Sequence, residues 1–325
     1  MRVTIRSDER GVVGAIAALL VTAMLAMSAV VIDVGHSWQQ RRMVVTATDA
    51  AALAATRDFV EGLNGCSTTA DNYVVANNSA ASLTGCVHHP RSGGDPGWVN
   101  VSAEVTVDFI FAPVFGVGDT TIQSSTTVSY DSAGAVEGGL RPFGLCLDTL
   151  NDFVPPPVPG DGIIYRIPFE KDEPSNCAGD EPVPGNWGLF DFDGGNNSEN
   201  DLRDWTENGY DDEVSIGDSI EGNPGAFTNS LGSALDALLL IEPFAVPIYD
   251  TATENGANAI FDIVSFASVR LDGYRASGAE KHRYIDVEFL DSVVQGSGGG
   301  PVEDLGAFVI AVCAVDGVDH STTCT

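Results

Sequence analysis

Residues 12–32 (VVGAIAALLVTAMLAMSAVVI) form an uninterrupted apolar run without a charged side chain, closed by Asp33. About 20 such residues in a helix cross the hydrocarbon core of a bilayer. No proline follows, and the pattern passes into a helical one of a different kind. Ala47, Ala50, Ala51, Ala54 and Ala55 recur at helical spacing together with Leu53 and Phe59. Alanine has the highest helix propensity, and a stripe of small side chains lets another surface approach closely. The pattern therefore predicts one long helix to about Val60, stopped by Gly62, Asn64 and Gly65. Its alanine face packs either on the chain's own β-rich region or on other subunits.

The period then shortens. Residues 65–96 read as a loop or a short helix over residues 70–81. Val99, Val101, Val105 and Val107 alternate along one face of a strand, Pro113 and Gly116 break it, and residues 126–130 are again β-prone. Residues 132–139 (SAGAVEGG) read as a boundary. Beyond them, strands are predicted over residues 162–169, 187–192, 245–249, 259–271, 284–290 and 307–315. A helix is predicted near residues 228–240, with Leu231, Leu235, Leu238 and Leu239 as its apolar stripe, and a shorter one near 201–208. Residues 296–300 (GSGGG) read as a flexible loop. Many strands separated by turn-rich spacers predict a β-sandwich or partly open barrel. The resulting division is residues 1–11 as a cytoplasmic N-terminus, 12–34 as a transmembrane helix, 35–64 as its extension, 65–136 as a β region and 137–325 as a β-rich extracytoplasmic domain.

Charge and cysteine usage sharpen this picture. The 325 residues carry 46 acidic and 15 basic side chains, a formal net charge of -31. Such a surface repels phosphate backbones, so the reading has no nucleic-acid partner. The apolar run exceeds the about 7–15 residues of a signal-peptide core and lacks an A-x-A site before a polar start. Arg2, Arg6 and Arg10 precede the run and Arg41 and Arg42 follow it, so the positive-inside bias is small. Cysteines decide the orientation. Cys66, Cys86, Cys146, Cys177, Cys313 and Cys324 all lie after the run, and an even set reads as disulfides of an oxidising compartment. The expectation is a single-pass protein of the cell membrane, N-terminus cytoplasmic and C-terminal domain extracytoplasmic. Sequence neighbours are the expected disulfide pairs (66–86, 146–177, 313–324).

The apolar run, then Ile32-Asp33-Val34-Gly35, Arg41-Arg42 and the DAAALAA block at residues 49–55 resemble the N-terminal region of TadE/TadG-like proteins of the bacterial tight-adherence (Flp) pilus assembly system. The alternating strand before FIFAPVFG (residues 109–116) and the Thr/Ser-rich strand after it are similar to the same family. GLRPFG (139–144), GNWGL (185–189), LRDWTENGY (202–210) and VPIYD (246–250) resemble the C-terminal portions of TadG-like proteins. The resemblance implies an α+β fold: a long transmembrane helix packed on a small antiparallel sheet in the manner of a pilin, followed by the mostly-β sandwich or barrel-like domain. It implies inner-membrane Tad assembly proteins or other pilin-like subunits as partners, with residues 12–34 in the membrane. One departure stands out. Pilin-type precursors carry a glutamate five residues after the cleaved glycine, whereas Ile16 follows Gly11, and Leu19 follows Gly14, at that distance. The missing carboxylate argues against a major pilin.

Chemistry is sparse. There is no GxSxG, HExxH or GxxxxGK[ST] pattern. The sharpest feature is residues 191–204 (DFDGGNNSENDLRD). Asp191, Asp193, Asn196 and Asp201 could offer oxygen ligands to calcium, although the EF-hand template fails because Gly195 and Leu202 occupy ligand positions. The competing reading is an exposed turn capping the following helix. His88-His89 lacks a third metal ligand nearby, and Trp98, Trp187 and Trp205 are either sugar-stacking or core residues. The expected function is a membrane-anchored, non-enzymatic component of a Tad/Flp pilus assembly apparatus or a minor pilin-like surface protein, without a required cofactor. The alternative is a surface glycan-binding module or hydrolase on a Tad-like anchor.

Overall fold

The computed structural model describes residues 10–66, 68–92, 94–168, 177, 187–194, 199–222, 229–239, 242–253, 259–275, 282–300, 305–316 and 318–319. Helix α1 (Arg10–Val60) runs unbroken for 51 residues, about 75 Å at 1.5 Å per residue. Its two halves meet different surroundings. Val13, Leu19 and Leu25 are 64%, 72% and 66% exposed, whereas Val44, Ala47, Ala51 and Ala55 are fully buried. The first half is largely exposed and meets the rest of the chain only towards its end, where Ala29, Val30 and Asp33 face the bend after β2. The second presents a stripe at i, i+3, i+7 and i+11, the face of a helix that packs on another element.

That other element is a meander. After α2 (Thr69–Asn77) come β1 (Ala81–His89), β2 (Gly97–Asp108) and β3 (Asp119–Glu137), all antiparallel. Val99, Val101, Ala103, Val105 and Val107 of β2 lie buried against α1, and the residues between them are partly exposed. The period-two alternation is thus the direct cause of the layer. The Cys66–Cys86 disulfide ties the turn after α1 to β1. Gly65 allows the chain to pass close to α1, since a Cβ there would lie 2.4 Å from the Ala55 carbonyl oxygen.

The chain then leaves this sheet and builds β4 (Phe143–Cys146), α3 (Leu147–Asn151), β5 (Ile164–Pro168), β6 (Trp187–Asp191), α4 (Glu199–Asn208), β7 (Glu213–Ser215), β8 (Ser219–Gly222), α5 (Asn229–Leu238), β9 (Phe244–Thr253), β10 (Ile260–Arg275), β11 (Tyr284–Phe289), β12 (Ser292–Val293), β13 (Gly296–Gly298), β14 (Ala307–Val315) and β15 (Val318–Asp319). Strands β10, β8, β6, β4 and β9 close a hydrogen-bonded circuit back to β10, with β11 and β5 extending it. This is the barrel-like domain. α5 covers one face with Leu231, Leu235 and Leu238, all within a core that includes Phe143, Val246 and Ile285. The other face stacks Phe190, Tyr249 and Phe261 in a core that also holds Val136 and Val309 of the first sheet.

Several elements differ from the sequence expectation. β1 forms where a loop was expected; a bulge between Leu83 and Gly85 obscures its alternation. Residues 132–137, read as a boundary, continue β3, whose far half pairs with β13 and β7. The glycine-rich run at 296–300 is not a flexible loop but includes a paired strand. A Cβ on Gly296 would sit 2.0 Å from the Ala135 oxygen, and one on Gly300 2.4 Å from the Ala133 oxygen. Glycine is used there for close backbone approach. Finally, β14 returns from the end of the chain to lie antiparallel beside β3, with Ile310 opposite Tyr130. The first sheet therefore contains strands from both ends of the sequence.

Candidate functional site: the membrane end of the first helix

The exposed apolar half of α1 meets the folded part of the molecule at Asp33, which is 5% exposed. Its carboxylate accepts three backbone N–H groups from the bend between β2 and β3: Ile110 (2.8 Å), Phe111 (3.0 Å) and Ala112 (2.7 Å). These donors open the 3-10 turn Ala112–Phe115, so Asp33 caps it from another element. Charge-assisted bonds to backbone N–H are among the stronger hydrogen bonds. Gly116 (φ +82°) closes the turn in the left-handed region that favours glycine. The bend is thereby held against the helix with Ile110, Val114 and Val117 61%, 83% and 50% exposed.

Further along α1 the docking is polar and buried. The Thr126 hydroxyl of β3 donates to Asp49 Oδ1 (2.6 Å) and lies 3.0 Å from the Thr48 hydroxyl, which donates to the Val45 carbonyl (2.9 Å) and sits 3.2 Å from Ser124 Oγ. Arg41 pairs with Asp316 (3.1 Å), and Asp316 also accepts the Ser125 N–H (3.1 Å). The turn after β14 is thus tied to both α1 and β3. At the far end, His88 stacks on Phe59 (centroids 3.9 Å apart), and its Nε2 lies 2.7 Å from the Tyr130 hydroxyl. Burial, and then the neighbouring His89, hold the His88 pKa below the ordinary imidazole value.

The residues singled out from sequence fall as follows. Cys66–Cys86 and Cys146–Cys177 are disulfide-bonded; Cys313 is also disulfide-bonded, and Cys324 lies outside the described residues. Asp191 sits 3% exposed in β6 opposite Glu221, Asp193 follows in the turn, and Asp201 lies in the first turn of α4. Asn196 lies outside the described residues, so the proposed calcium set is not seen as a unit. Among the described residues no group of three or more His, Cys, Asp or Glu side chains is placed to hold a metal. His88 and His89 face opposite ways along β1, His89 stacking on Trp98 at 5.3 Å. Trp205 packs against Phe192 and Tyr210, and the Trp187 side chain lies outside the described residues. Asp33 was legible only as the end of the apolar run. Its partners lie 77 to 79 positions away, a distance that no local pattern encodes.

These features define a class: a single-pass, membrane-anchored α+β protein whose transmembrane helix continues into a helix-on-sheet layer. Residues 11–58 match the family model described as putative Flp pilus-assembly TadE/G-like. That match coincides with nearly the whole of α1, the one helix among the described residues long and apolar enough to cross a membrane. The chain is thus TadE/TadG-like in its N-terminal anchor segment, which supports a pilus-related membrane protein. Comparison with curated proteins and with solved structures yields no match.

Proposed function

We propose that this protein is a non-enzymatic component of a Tad/Flp pilus assembly apparatus, or a minor pilin-like subunit of it. In this reading the N-terminus is cytoplasmic and the disulfide-bonded domains lie on the extracytoplasmic side. The observation that carries the reading is the coincidence of the TadE/G-like segment with a helix that is exposed and apolar in its first half and packed on a sheet in its second. A helix of this kind joins a bilayer to a rigid outer domain and leaves the membrane half free to meet partner helices. The disulfides support the orientation, because they form and persist in oxidising compartments. Inner-membrane Tad proteins and other pilin-like subunits are the partners this predicts. Trp98 stacks on His89 and Trp205 packs against Phe192, which favours packing roles for these residues over the glycan-binding alternative.

The reading is tested by mass spectrometry of the native protein after membrane fractionation, combined with protease added to the outside of spheroplasts. Recovery of the chain with membranes, with residues from about position 35 onward degraded by external protease, is the expected result. Recovery in the soluble fraction, or protection of the outer domains in intact spheroplasts, would contradict it. The N-terminal residue decides the finer choice. An unprocessed terminus favours a permanent assembly component, and cleavage before the apolar run favours a subunit of the filament.

A further inference from the structure

The bend between β2 and β3 is unusual for this chain. A molecule with a net charge of -31 carries no charged residue from Phe109 to Gly118. Ile110, Val114 and Val117 are at least half exposed, and Phe111 is 39% exposed. An exposed, uncharged apolar loop on an acidic soluble surface invites aggregation unless something covers it. Its position says what does. Asp33 clamps the bend to α1 at the end of the membrane run. An apolar notch of about 200 Å³ lies between them, lined by Ala29 and Val30 of the helix and by Phe109, Phe111 and Val117 of the bend. Ala29 lies one helical turn nearer the bilayer centre than Asp33, about 6 Å at 1.5 Å per residue. The bend thus reaches to the depth at which interfacial elements bury their apolar side, about 5–10 Å into the headgroup–acyl boundary. Asp108 and Asp119, exposed and paired across the neck of the hairpin, place charge where penetration must stop. Trp38 is 65% exposed about 9 Å beyond Ile32 along the helix, in the zone where tryptophans favour the membrane interface.

We propose that the β2–β3 bend is a second membrane element, seated in the lipid interface beside the transmembrane helix, with an acyl chain filling the notch between them. The chain then grips one leaflet at two points, and the outer domain is held at a fixed angle to the bilayer. The same clamp hides the Asp33 carboxylate from the lipid by saturating it with backbone N–H groups. This inference rests on the membrane-anchor reading above, and its test separates the two.

The full chain is reconstituted in phosphatidylcholine vesicles, a zwitterionic surface that its negative charge does not oppose. Single substitutions L25C, V114C and V154C are each labelled with an environment-sensitive fluorophore, with the native disulfides left oxidised. Vesicles are prepared with and without lipid carrying a nitroxide near the glycerol end of the acyl chain. The L25C label reports the transmembrane helix, and Val154, 97% exposed, reports a site in water. The expected result is that labels at 25 and 114 emit at shorter wavelength and lose most of their fluorescence to the nitroxide, while the label at 154 does neither. Quenching at 25 with a water-like signal at 114 would overturn the proposal and leave the anchor standing. A shifted but unquenched label at 114 would mean that protein, not lipid, covers the bend, and would also overturn it. An unquenched label at 25 would overturn the anchor reading and this proposal together.

Discussion

Asp33 is where the membrane run ends and where the outer fold takes hold. A carboxylate at this position would be costly to bury alone; here it is satisfied by three backbone donors of the β2–β3 bend. Replacing it by alanine leaves those N–H groups to water. Asp33→Ala is expected to raise amide exchange across residues 110–112 by roughly tenfold or more, the loss of one charge-assisted cap being worth about 1.5–3 kcal/mol, while the strands of the sheet keep their protection. Unchanged exchange in hydrogen–deuterium mass spectrometry would show that the bend is held by something else. His88 gives a second test. Its pKa is held down by burial and by His89, so the folded state resists a proton that the unfolded state accepts. Stability is therefore lost as pH falls through the ordinary imidazole range near about 6.5. The melting temperature of the wild-type chain should fall more than that of His88→Gln between about pH 7.5 and 5.5; parallel curves would refute the assignment.

At the scale of elements, what could be read from sequence was what obeys a short period. The apolar run, the alanine stripe of α1 and the valine alternation of β2 each fix their partner face through side chains three, four or two positions apart. Their packing is tight enough to test. Ala51→Leu places a larger side chain on a fully buried position between α1 and the sheet, and is expected to cost about 1–3 kcal/mol of stability by overpacking. Leu25→Ala in the exposed half of the same helix should leave the unfolding midpoint of the outer domains unchanged. Equal effects of the two substitutions in chemical denaturation would argue that the stripe is not a packed face. What escaped the sequence was set by non-local geometry. β1 is broken by a bulge that reverses its alternation. The glycines at 296–300 look like a flexible spacer, yet their missing side chains let β13 approach β3. The bend at residues 109–118 was visible as a turn, while its role depended on an aspartate far away in the chain.

For the whole molecule, the decisive connection is the return of β14 to β3. Val309 helps bury the joint between the helix-on-sheet layer and the barrel-like domain, Phe308 packs with Val60 of α1 and Tyr130 of β3, and Asp316 reaches Arg41 of α1. A chain truncated after residue 304 leaves that edge of β3 unpaired. It is expected to lose protease resistance in α1 beyond Arg41 as well as in the sheet, although those residues are intact in sequence. Retained resistance would show that the first layer folds without the C-terminal strand. This architecture sets a folded outer region on a membrane helix, and the TadE/G-like match over residues 11–58 supports the proposed link to pilus assembly. The most direct test is to delete the coding sequence in the native bacterium and measure filaments sheared from the surface, with complementation by the full chain and by a chain whose residues 12–32 are replaced with a cleavable secretion signal. The account predicts that filaments are lost on deletion and restored only by the anchored chain; undiminished filaments in the deletion strain would contradict it.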